Sequence, residues 1–88
     1  MNTTTTDTLA TKLADAALTV LVRTCRQEVA AASRDDLEAA CAAMRAKSSK
    51  VIDQLLDDAR AAPWVAKAAF HAAALDLAQA GIAELRKS

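Results

Sequence analysis

The sequence predicts an all-α protein, and three observations carry that expectation. One glycine and one proline in 88 residues leave almost no turn chemistry. Alanine supplies 24 of the residues and, with Leu, Arg, Lys, Gln and Glu, belongs to the strong helix formers. Apolar side chains recur at alternating steps of three and four, the period of a helix face. The arrangement expected from these segments is a three-helix up-down-up bundle with short loops, completed as a homodimer.

The first helix is expected over residues 7–32, after a flexible tail at residues 1–6. Asp7, or Thr6 in its place, offers an N-cap oxygen. Leu18, Val22, Cys25 and Val29 form one apolar stripe, and Leu9, Leu13, Ala16 and Val20 form another, with Leu21 between them. The second helix, over residues 34–61, starts at Ser33-Arg34-Asp35-Asp36, where a hydroxyl cap precedes acids that suit the positive end of the helix dipole. Leu37, Cys41, Met44, Ser48, Val51 and Leu55 then make a heptad-like seam, bordered by Ile52, Leu56 and Ala59. Pro63 breaks that helix, because it lacks an N–H and clashes with a preceding turn, yet it fits the first position of a third helix over residues 63–86. In this last helix Trp64, Ala68, His71, Leu75, Ala78, Ile82 and Leu85 form one seam, and Phe70, Ala74, Leu77 and Gly81 another. Two seams per helix suit a helix with two neighbours. No linker or repeat interrupts residues 7–88, which read as a single domain.

Folding the chain back at Ser33 brings Val29 level with Leu37, Cys25 with Cys41, Val22 with Met44 and Leu18 with Ser48. That register predicts a hairpin between the first two helices. The same reflection at Ala62 sets Ala59 near Val65, Leu56 near Ala68 and Ile52 near His71 or Ala72. Cys25 and Cys41 are expected to be neighbouring reduced thiols, since a chain without a secretory signal gives no reason for a structural disulfide.

Composition narrows the function classes. The chain carries 11 Lys+Arg against 11 Asp+Glu, so no net positive field draws nucleic acid or an anionic membrane. Charge-free stretches such as 68–75 fall far short of the roughly 20 residues a membrane helix needs. The N-terminal Met1-Asn2-Thr3-Thr4-Thr5-Thr6 has neither a basic region nor an apolar run, so a cytoplasmic protein is expected. The residues show no phosphate loop, metal-ligand spacing, nucleophile with a base, or paired carboxylates in an apolar setting. No cofactor, metal or catalytic residue is therefore assigned.

The features left over point to association. His71, the only histidine, is expected half-buried on a core-facing position, since Lys67, Ala68, Ala74 and Leu75 at helical spacing offer nothing to activate it. Trp64 follows the helix break, where it either closes the bundle end, the expected role, or stands out as an interface anchor. The second helix carries Arg45, Lys47 and Lys50 in its middle and Asp53, Asp57 and Asp58 near its end. This basic-then-acidic order suits a complementary surface on another molecule, and an antiparallel second copy supplies one by symmetry. Alanine-rich helices also make a thin core and leave apolar surface to bury elsewhere. Arg45, Lys47, Lys50, Asp53, Asp57, Asp58 and Trp64 are thus the candidate interaction residues, and the expected partners are a second copy and another protein.

In size and in lack of motifs the chain is similar to small inhibitor proteins of phages and mobile elements, including anti-CRISPR proteins, a resemblance that implies action by binding a protein through a helix face. Asp15-Ala16-Ala17-Leu18 followed by Leu21-Val22 resembles the first helix of the all-α chorismate mutases, which implies a dimer holding a dicarboxylate with arginines and a lysine. Arg23, Arg26, Lys47 and Lys50 depart from that family's spacing, which makes the enzyme an alternative reading. A helix-turn-helix DNA-binding regulator is a further alternative, opposed by the long helices and by the acids flanking Arg45, Lys47 and Lys50.

Overall fold

A computed structural model describes the backbone of residues 2–87 and the side chains of residues 8–87. The chain is all-α. In order come α1 (Asn2–Thr24), α2 (Arg26–Ala31), α3 (Arg34–Ala61) and α4 (Ala66–Lys87), with a 3-10 turn at Pro63–Val65 leading into α4 and no strand among the described residues. None of the described helices is long and apolar enough to cross a membrane.

The boundaries of α3 follow from local chemistry. Ser33 is in extended backbone, its hydroxyl accepts from the Asp36 amide at 3.1 Å, and the Asp36 carboxylate accepts from the Ser33 amide at 3.4 Å. Two amides with no partner inside the helix are thereby satisfied reciprocally. At the other end Ala62 leaves helical geometry at φ −146°, ψ 82°, as a residue before proline must, while its amide still reaches the Asp58 carbonyl at 3.0 Å. Pro63 then opens the 3-10 turn, so α4 itself starts at Ala66 rather than at Pro63.

The first helix departs from expectation at both ends. Its backbone is helical from Asn2, and the cap expected at Thr6 or Asp7 lies outside the described side chains. The helix is broken at Cys25, which takes φ −119°, ψ 45°, so the single helix expected over 7–32 becomes α1 and α2. Hydrogen bonds from the Cys25 amide to Leu21 O (2.9 Å) and from the Val29 amide to Cys25 O (2.8 Å) carry the helical pitch across the break. No Pro, Gly or Ser stands there to mark it in the sequence.

The core is organised around α4, whose Ala73, Ala74, Leu77, Ala78, Gly81, Ile82 and Leu85 are buried. Against it lie Ala40, Met44, Val51, Ile52 and Leu55 of α3, and Leu13, Ala17 and Leu21 of α1 with Cys25 at the break. Met44 reaches Gly81 and Lys47 reaches Asp76, so residue numbers on α3 fall as those on α4 rise. Leu21 reaches Gly81 and Glu28 reaches Arg86, so numbers on α1 and α4 rise together. The hairpin expected between the first two long helices is replaced by this arrangement: α1 packs on α4 and meets α3 only slightly. Val22, expected to pack on Met44, remains exposed. The physical reason is the small-residue face of α4, where Ala74, Ala78 and Gly81 let two helices approach the same stripe closely.

Two residues expected inside lie outside. His71 is exposed, and Trp64 is 83% exposed, so neither fills the core. The seam running Trp64, Ala68, His71, Leu75 faces solvent, and only its continuation through Ala78, Ile82 and Leu85 is buried. Cys25 is fully buried, Cys41 half-buried, and both are free thiols.

At Gly81 a Cβ would stand 2.5 Å from Leu21 Cδ1 and 3.1 Å from Met44 Cγ and Sδ. Gly81→Ala gains about 1 kcal/mol of helix propensity against that crowding and is expected to cost less than about 1 kcal/mol net. Gly81→Val adds bulk that Leu21 and Met44 cannot both evade, and urea denaturation is expected to show a loss of about 2–3 kcal/mol. Ser33→Ala removes the cap of α3 and should lower stability by about 1 kcal/mol in the same measurement.

Candidate functional site

Because α1 turns Leu13, Ala17 and Leu21 toward α4, the stripe one step round the helix is left without a neighbour. Leu18 and Val22 are 43% and 42% exposed. Between α1 and α3 lies an apolar groove of about 230 Å³, with Ala14 and Leu18 on one wall, Cys41, Met44 and Ser48 on the other, and Leu77 of α4 at its floor. Asp15 and Arg45 also line it, one from each wall. A shallow hollow of about 430 Å³ adjoins it along α3, sharing Cys41 and Arg45 and adding Arg34, Leu37 and Glu38. Arg34 and Glu38 are paired with each other on that rim at 3.2 Å.

The residues singled out from charge order do not form one patch. Arg45 borders the groove. Lys47 turns the other way and donates to the Asp76 carboxylate of α4 at 3.0 Å, an exposed intrachain pair. Asp58 accepts from Gln54 at 2.9 Å beside α4, and Lys50, Asp53 and Asp57 are exposed on the outer side of α3. Trp64 stands on the turn at the head of α4. The residues that sequence reasoning passed over are Leu18 and Val22. Their signal was present as part of one of two stripes on the first helix, while the buried line Leu13, Ala17, Leu21 and Cys25 runs between the two.

Trp64 heads an exposed strip on α4 that continues through Ala68, His71, Ala72 and Leu75, with Val65 at its side. Leu75 and Val65 are each 40% exposed. Positions 68–75 carry no Asp, Glu, Lys or Arg, so the strip is apolar with one imidazole in it. Among the described residues no group of three His, Cys, Asp or Glu is placed to hold a metal ion. Compared with protein-family models, curated proteins and solved structures, the chain matches none.

At the opposite end of the molecule α2 is tied to the C-terminus of α4. Glu28 accepts from Arg86 at 3.4 Å over a small hollow that Leu85, Ala31, Ala32 and Asp36 also line. Its carboxylate is held below the ordinary value of 4.5, first by a hydrogen bond from its own backbone amide and further by the Arg86 guanidinium, with partial desolvation opposing. The folded-state value is the lower one, so the contribution to stability is present above the ordinary Glu range and is lost as pH falls through the folded-state value. Glu28→Gln is therefore expected to flatten the acid side of a stability-against-pH curve, and to leave the curve above pH about 6 parallel to that of the parent.

Proposed function

We propose that this protein is a non-catalytic interaction module that binds another protein through the exposed face of α4, and that it does so as a homodimer of an up-down-up helical bundle in the cytoplasm. The observation that carries the reading is Trp64, 83% exposed at the head of a strip free of formal charge. A tryptophan left in water in a chain with a single Phe and no Tyr is the costliest apolar exposure the sequence could make. Trp is also among the residues most enriched at binding hot spots, where a ring enters a pocket and its neighbours exclude water. The absence of charge over 68–75 fits an apolar partner surface, such as one face of an amphipathic helix. An inhibitor of the phage or mobile-element kind is one class of protein that works this way.

The enzymatic alternative finds less support in the groove. Among the described residues Arg45 is the one basic side chain lining its walls, whereas Arg23, Arg26 and Lys50 lie outside it and Lys47 is engaged by Asp76. A dicarboxylate substrate would need several converging cations.

The test compares capture by the parent chain with capture by Trp64→Ala and Leu75→Glu. The parent is expected to retain a stoichiometric protein from its native cell extract, and each variant to lose it by tenfold or more while keeping the same helical circular dichroism. Equal retention by all three, or by none, would overturn the reading.

A further inference from the structure

We infer that the homodimer forms through α1, antiparallel, along the exposed strip Asp15, Leu18, Val22 and Arg26; the inference rests on the dimer proposed above and assigns its surface. The four residues are spaced by three or four, so on a helical pitch they share one side, and the hydrogen bonds that span Cys25 keep Arg26 on it. All four are exposed. The strip is self-complementary. When two copies run in opposite directions with residue numbers summing to 40 or 41, Leu18 lies over the partner's Val22, Val22 over the partner's Leu18, and Asp15 meets the partner's Arg26 at both ends. Flanks agree as well as levels. Asp15 and Arg26 are about three helical turns apart and so stand on the same flank of the strip. A two-fold axis normal to two antiparallel helices brings like flanks together, which places carboxylate against guanidinium rather than against its own kind.

Both charges are available for this. Among the described residues neither Asp15 nor Arg26 takes part in an ion pair, while Arg34, Lys47, Arg86 and Lys87 are each paired within the chain. The strip also borders the groove, through Asp15 and Leu18, so pairing α1 with its copy brings the two grooves mouth to mouth and removes Leu18 and Cys41 from water together. An apolar centre flanked by reciprocal ion pairs is the pattern of a two-fold interface.

The experiment uses two charge variants of the whole chain, Asp15→Arg and Arg26→Glu, followed by sedimentation equilibrium. The parent is expected to dimerise, and each variant alone to dimerise about tenfold more weakly, because every pair across the axis becomes like-charged. In an equimolar mixture of the two, one chain carries two basic side chains on the strip and the other two acidic ones. Both pairs across the axis are then of opposite charge, so the mixture is expected to recover the parent's dimer constant as a heterodimer. Leu18→Glu should dissociate the dimer and leave helical circular dichroism unchanged, since the side chain is already exposed. A parent chain that stays monomeric at tens of micromolar overturns the dimer itself. A dimer that both charge variants leave intact, or that Trp64→Ala dissociates instead, overturns the α1 surface while the dimer stands.

Discussion

The approach of two helices to one glycine fixes the shape of this protein. Gly81 of α4 has Leu21 of α1 on one side and Met44 of α3 on the other, each close enough that even a methyl group would have to displace them. Ala78 and Ala74, one and two turns before it, extend the same small-residue stripe. Alanines bury little area apiece, so the hydrophobic contribution per residue is modest. What they permit is short interhelical distance, at which Leu13, Leu21, Leu77 and Met44 are buried in close packing that gains dispersion energy. The core depends on that closeness more than on bulk.

A central α4 has a geometric consequence for the other helices. A helix that accepts two neighbours on one stripe holds them apart, and α1 and α3 accordingly touch each other little. The separation opens the groove floored by Leu77 and leaves Leu18 and Val22 on its α1 side with nothing to cover them. It also leaves the far side of α4 bare, which is where Trp64 and Leu75 are found. Both exposed apolar surfaces thus have one origin. They are what remains when three alanine-rich helices satisfy a single small-residue stripe.

How much of this was legible in the sequence differs by element. The limits of α3 were, because Ser33 and Pro63 act through their own chemistry and need no tertiary context. Its inward seam was too, since Leu37, Met44, Val51 and Leu55 are large and face the same way. The orientation of α4 was not. With alanine on nearly every side of that helix, sequence offers little contrast between an inner and an outer face, and the larger residues Leu77, Ile82 and Leu85 decide the matter only once packed. Counting Trp64, Ala68, His71 and Leu75 as core followed from period alone, which reports a stripe but not whether anything covers it. The choice of neighbour for α1 was hidden for a related reason: the register about Ser33 pairs levels along the chain, and levels are the same whether two helices touch or stand a groove apart. Charge order on α3 did not disclose that Lys47 has an acid, Asp76, to answer it within the chain, because that pairing depends on the packing of α4.

The two exposed surfaces differ in a way that separates their roles. On α4 the nearest charges beside the apolar strip are Lys67 and Asp76, about two and a half turns apart, and so on opposite flanks of the helix. An antiparallel two-fold pairing of that face would set lysine on the same flank as lysine and aspartate on the same flank as aspartate. The Asp15 and Arg26 flank of α1 gives the opposite result under the same operation. The two-fold operation thus offers α1 a reciprocal ion pair that α4 lacks, and on the reading proposed above the tryptophan-headed face is kept for a molecule of a different kind. A dimer formed as proposed would present two copies of one apolar face, and a target with two matching sites would be held by both at once, gaining from effective concentration what a thin, alanine-rich surface lacks in area.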